Sequence, residues 1–239
     1  MHQGCFSIND AMHVSCRREN VYVALNAQLP HSATDLFEMK LYLIDQAKNF
    51  PQHLRFLKGE KVMPYNKDQL IEKISFVELN TRKSIEDINV NTLFDYDIFP
   101  GHIMHHYTQW KEENRSMQVG DTIVQQVYVP PVKSFSQKII FGVRVSEIID
   151  QQGKKGFSYE TLKGHVEKGI STFTVEQGDQ QQLIFKIHTY SIPGNMMARI
   201  LSPVFSIPYQ TFCTRSALAH VKGNIERKLP SLLPTEWHR

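Results

Sequence analysis

The stretch Gly156-Phe157-Ser158-Tyr159-Glu160-Thr161-Leu162-Lys163-Gly164-His165, followed by Gly169 and the alternating run Ser171-Thr172-Phe173-Thr174-Val175, decides how this chain folds. Its first part reads as a strand closing on a turn, and its second as another strand of period two. Working upstream, the cluster Asp150-Gln151-Gln152-Gly153-Lys154-Lys155 marks a turn, and Lys138 to Ile149 is a long strand before it. Thr122 to Val129 is a further strand, ended by Pro130-Pro131. Downstream, residues 183–191 supply a fifth strand. From Asn195 to Glu226 the pattern is helical, interrupted by Pro203 and Pro208. Each proline removes a backbone donor and crowds the preceding turn, so the helix should be kinked between Leu201 and Tyr209. Ile200, Val204, Phe205 and Phe212 should then turn toward the sheet.

Register follows from which face must be apolar, since a one-residue slip reverses every side chain. Phe173 is expected opposite Ile187, Val175 opposite Phe185, Ser171 opposite Thr189 and Ile170 opposite Tyr190. In the first hairpin the expected pairs are Val127 with Phe141 and Ile123 with Val145. Gln125 is then the one polar residue on an apolar inner face. Continued parity turns Glu147 inward, facing Tyr159, unless a bulge resets the pleat. Polar groups on such a face need partners or water, and a wetted cavity would supply them.

The remaining chain is less informative. Val21 to Leu25 reads as a short strand, and Ile74 to Leu79 as another. A helix is expected from Asp35 to Phe50, capped by Ser32 or Thr34 and ended by Pro51. A second is expected from Pro100 to Asn114, with Pro100 in its first turn. Residues 1–85 are taken as an N-terminal extension packed on a main domain of residues 86–228, with 229–239 a tail.

Composition limits the function classes. Among 239 residues, 27 Lys and Arg against 24 Asp and Glu give a net charge of +3 with no basic stripe, so nucleic acid is not an expected partner. Three cysteines without CxxC spacing argue against a disulfide framework or structural zinc. There is no signal-peptide pattern and no apolar run of membrane-spanning length, so a cytoplasmic location is expected.

From Gly156 to Val221 the chain resembles the bacterial and plant domain-of-unknown-function family numbered nineteen-ninety. The residues that carry this are Gly156, Phe157, Ser158, Tyr159, Thr161, Leu162, Gly164, His165, Gly169, Phe173, Ser191, Pro193, Pro203, Gln210 and Arg215. The chain departs from the family pattern at Glu160, at Ile170-Ser171 and at Ile192. The resemblance implies an α+β, START-like or helix-grip fold. In that fold an antiparallel sheet curls around a long C-terminal helix and leaves a cavity between them. The family has no settled activity, and proteins of this architecture commonly bind apolar small molecules.

The cavity candidates are Gln125, Phe141, Glu147, Tyr159, Thr161, His165, Phe173 and Phe185. His102 and His106 stand four apart, with His105 beside them, a spacing that can serve a metal. No carboxylate ligand accompanies them, so no metal or other cofactor is expected. His165 either acts as an acid or base or bonds the backbone of its turn. No GxSxG, P-loop or Rossmann fingerprint is present. The expected function is binding of an apolar small molecule. The alternatives are a cyclase- or hydrolase-like enzyme using the same cavity, with Glu147 or His165 as acid or base and Tyr159 as polar partner, and an interaction protein whose first 85 residues fill or cap it.

Overall fold

The computed structural model describes residues 16–17, 20–21, 40–129, 136–178, 182–193 and 207–227. Its strands are β1 (Cys16–Arg17), β2 (Asn20–Val21), β3 (Lys40–Tyr42), β4 (Ile71–Glu78), β5 (Met104–Thr108), β6 (Thr122–Val129), β7 (Gln137–Gln151), β8 (Lys154–Thr161), β9 (Glu167–Gln177) and β10 (Leu183–Pro193). The helices are α1 (Phe50–Lys58), α2 (Asn91–Phe94), α3 (Gln109–Glu112) and α4 (Ile207–Arg227). β1 and β2 pair with each other. The other strands form one antiparallel sheet in the order β4-β10-β9-β8-β7-β6-β5, with β3 joined to the free stretch of β7.

The two faces of this curled sheet carry two cores. On the inner face, Phe157, Phe173, Val175 and Phe185 meet Ala217, Val221 and Ile225 of α4 and the segment Leu79 to Ile103. On the outer face, Leu54 and Leu57 of α1 cover Val124, Ile140 and Leu162. Residues buried on both faces explain the long apolar runs in β6 and β7, where simple alternation is lost.

Close sheet packing accounts for two motif glycines. A Cβ on Gly156 would lie 1.9 Å from the Phe173 carbonyl oxygen, and one on Gly169 would lie 1.9 Å from that of Tyr190. Neither position admits a side chain without moving backbone.

The expected register of β9 and β10 holds: Phe173 pairs with Ile187, Val175 with Phe185, Ser171 with Thr189 and Ile170 with Tyr190. In the first hairpin the faces are right and the pairs are displaced by two residues. Ile123 meets Val143, Gln125 meets Phe141 and Val127 meets Ile139. A two-residue slip keeps every side chain on its face, so the apolar pattern does not oppose it.

Two helices expected from the sequence are replaced. Lys40–Tyr42 is a strand, and the helix begins only at Phe50, with Pro51 in its first turn. Proline there starts a helix because its missing N–H needs no partner. Pro100 opens a turn, its carbonyl accepting from Ile103 and Met104 N–H, and Met104–Thr108 continues as a strand. Pairing along β6 supplies the backbone partners that a helix would otherwise have given.

Residues 71–78, which the sequence places in the extension, form β4 and pair along β10. Val21 to Leu25 lies almost wholly outside the described residues, as do Ile200, Val204, Phe205 and most of the expected kink. Phe212, expected to turn toward the sheet, is 42% exposed and lies beside the His102 ring.

Candidate functional site

Pairing across β8, β9, β10 and β4 sets successive inner-face rows. Phe157, Phe173, Ile187 and Ser75 form one row. The next is Tyr159, Ser171, Thr189 and Lys73. Beyond it Gly169 pairs with Ser191, and Thr161 exchanges hydrogen bonds with the Gly169 backbone. Apolar filling therefore stops at Phe173 and Ile187, and a polar, partly open half begins one row later.

Tyr96 joins the two halves. It is fully buried, and its hydroxyl accepts a hydrogen bond from the Gln125 amide. Tyr159 also bonds Tyr96 and Ser171, and Thr189 Oγ1 donates to Ser171 Oγ at 3.3 Å. Burial pushes both phenols well above or above their ordinary range, so both remain neutral donors. Tyr96 holds a positive φ of 57°, which is strained for a bulky residue. Phe157, Tyr159 and His106 pack edge-on around its ring at 5.2–6.2 Å and hold it there.

At the far end of the polar half, the carboxylate of Glu167 bonds Ser191 and the side-chain amide of Gln210 on α4. Lys73 Nζ donates to the oxygen of the same Gln210 amide at 2.8 Å. Gln210 thus ties the start of α4 to β4 and β9, the two strands that flank β10. Burial raises the Glu167 carboxyl, against the opposing pull of Lys73, Ser191 and Gln210. His165 Nδ1 lies 3.0 Å from the backbone N–H of Glu167, and its ring packs 4.2 Å from that of Phe141. Burial lowers this imidazole to about 4, so it is neutral at physiological pH.

Gln125, Phe141, Tyr159, Thr161, His165, Phe173 and Phe185 are all buried on the inner side. Glu147 is not among them. A bulge between Val145 and Glu147 resets the pleat, so that Val145 meets Tyr159 and Glu147 meets Ser158. Glu147 is exposed on the outer face and accepts from Ser158 Oγ at 3.2 Å. Sequence reasoning missed Glu167, Lys73, Gln210 and Tyr96. Parity counted back from Phe173 through Ser171 and Gly169 reaches Glu167, so that residue was within reach. Tyr96 lies in an irregular segment whose inward turn has no period to reveal it.

His102, His105 and His106 occupy a turn and a strand, so His105 and His106 point to opposite faces. Among the described residues no group of three His, Cys, Asp or Glu side chains is arranged to hold a metal ion. No helix among them is long and apolar enough to cross a membrane.

These features define an α+β protein with a curled antiparallel sheet, a C-terminal helix against its inner face and a polar patch beneath that helix. The chain belongs to the family described as "Domain of unknown function (DUF1990)", whose model matches residues 88–220. A solved structure of a hypothetical protein, jhp0584 from Helicobacter pylori, is similar at 11% identity and a TM-score of 0.44. That similarity covers 69% of this chain and 96% of the other. No curated protein matches.

Proposed function

We propose that this is a START-like, helix-grip protein that binds a small, largely apolar molecule in the polar half of the inner face, beneath the first turns of α4. The observation that carries this reading is the row Tyr159, Ser171, Thr189 and Lys73, set directly beside the aromatic row of Phe157 and Phe173. Binding sites typically combine apolar walls with a few converging polar groups. Here the apolar body of the ligand rests on Phe173 and Ile187, and its polar group reaches Ser171, Thr189 or Lys73. Gln210 closes the site from the helix side.

Native mass spectrometry of protein purified from its source tests the proposal. A small-molecule mass should accompany the protein, and Ser171→Leu, which fills the polar row, should remove it. Protein that carries no added mass as isolated would refute the reading. A second reading, an enzyme using the same space, draws support from Glu167. Its raised carboxyl would keep a transferable proton nearer neutral pH than an ordinary glutamate. In that case Glu167→Gln would retain the ligand and prevent its conversion.

A further inference from the structure

A separate cleft of about 300 Å³ opens beside β5, lined by Phe50, Phe99, Met104, Asp97, His105 and His106, with Gly101 at its rim. The hydrogen bonds behind His105 determine which of its nitrogens faces this space. Gln46 backbone N–H can only donate, and it lies 2.7 Å from Gln126 Oε1. That contact fixes the Gln126 amide, whose Nε2 then donates to Asp45 Oδ2 and to the Tyr128 hydroxyl oxygen, each at 3.0 Å. Tyr128 has one hydroxyl proton. The Asp45 carboxylate, 2.7 Å away, can only accept, so that proton goes to Asp45. His105 Nδ1, 3.1 Å from the same hydroxyl oxygen, must therefore carry its own proton and donate it. Burial pushes the Asp45 carboxyl up, but bonds from the Ala47 N–H, Tyr128 and Gln126 outweigh it and hold the group below its ordinary value. Its acceptor role is therefore secure at neutral pH.

In the neutral imidazole the remaining nitrogen, Nε2, is left with a bare lone pair. A Cβ on Gly101 would come within 3.6 Å of this atom, so the absence of a side chain there keeps it approachable. We propose that this cleft is a second small-molecule site, in which His105 Nε2 accepts a hydrogen bond from the hydroxyl of a neutral phenol or alcohol with an apolar body. Phe50, Phe99 and Met104 supply the apolar walls. Asp97 is the charged group in the lining, and it disfavours a carboxylate or phosphate ligand. The volume is at the lower end for binding cavities, which suits a ligand of one or two rings.

The probes are 4-fluorophenol and 4-fluorotoluene, nearly equal in shape and differing in the hydroxyl. Each is titrated into the full-length protein and followed by fluorine NMR. The phenol should bind more tightly, by about three- to tenfold, the usual worth of one accepted hydrogen bond. His105→Phe should erase that preference, and Gly101→Val should weaken both probes. Ser171→Leu should leave the preference intact, which separates this cleft from the inner-face site. A long-range proton–nitrogen spectrum of the unmodified protein should show His105 protonated at Nδ1 and bare at Nε2. Equal affinity for the two probes, no binding of either, a preference that survives His105→Phe or is lost in Ser171→Leu, or a proton on Nε2 in place of Nδ1 would each overturn the proposal.

Discussion

Tyr96 shows how one side chain can tie a sheet to the chain packed inside it. Its hydroxyl is shared between Gln125 and Tyr159, both buried, so removing that one oxygen takes a hydrogen bond from each. Tyr96→Phe should cost about 0.5–1.5 kcal/mol for each hydrogen bond lost, as read by urea denaturation. An unchanged midpoint would show that water replaces the hydroxyl. His165 offers a second test, through pH. Its folded value near 4 lies below the ordinary 6.5, so between these the unfolded chain binds more protons than the folded one. This residue's stability contribution is thus complete above pH 6.5 and is lost as pH falls toward 4. The shift corresponds to roughly 3 kcal/mol. Glu167 acts oppositely, because its raised carboxyl favours the folded state at low pH, so the wild-type curve alone is ambiguous. The difference between wild type and His165→Gln isolates the histidine, and it should shrink steadily from pH 6.5 to 4.

At the scale of elements, α1 is held to the outer face by its apolar side and by one cation at its end. Arg144 of β7 donates to the carbonyls of Leu57, Lys58 and Glu60, each at 3.1 Å, at the C-terminal end of the helix. Positive charge also suits the negative end of the helix dipole. Arg144→Ala should destabilise the protein by about 1–3 kcal/mol, because those carbonyls lose charged donors. Hydrogen exchange should locate the loss in residues 50–58. Uniform loosening of the whole sheet would contradict this local role. The sequence showed α1 poorly for a related reason. Pro51 is compatible with both ends of a helix, and only the cover that Leu54 and Leu57 give to Val124 and Leu162 decides between them.

At the scale of the whole molecule, the sheet is completed from the part of the chain that a boundary at residue 86 would discard. β4 supplies the partner strand of β10, Leu79 and Ile85 enter the inner core, and α1 covers the outer one. A chain beginning at residue 86 should therefore lose cooperative thermal unfolding in circular dichroism. A sharp transition in that fragment would show that the later strands and α4 suffice. Local pattern was enough to mark strands β6 to β10, the inward faces of Phe173 and Phe185, and the pairing of β9 with β10, because period two and short turns are encoded within a few residues. The polar row was legible to the same extent, since Tyr159 and Ser171 share a parity with Phe157 and Phe173. What only tertiary structure decided were the relations between distant segments. Strand pairing made Met104–Thr108 extended, a bulge turned Glu147 outward, and long-range packing brought Lys73, Tyr96 and Gln210 to one face. These outcomes depend on backbone partners and neighbouring side chains far along the chain, whose positions no local period records.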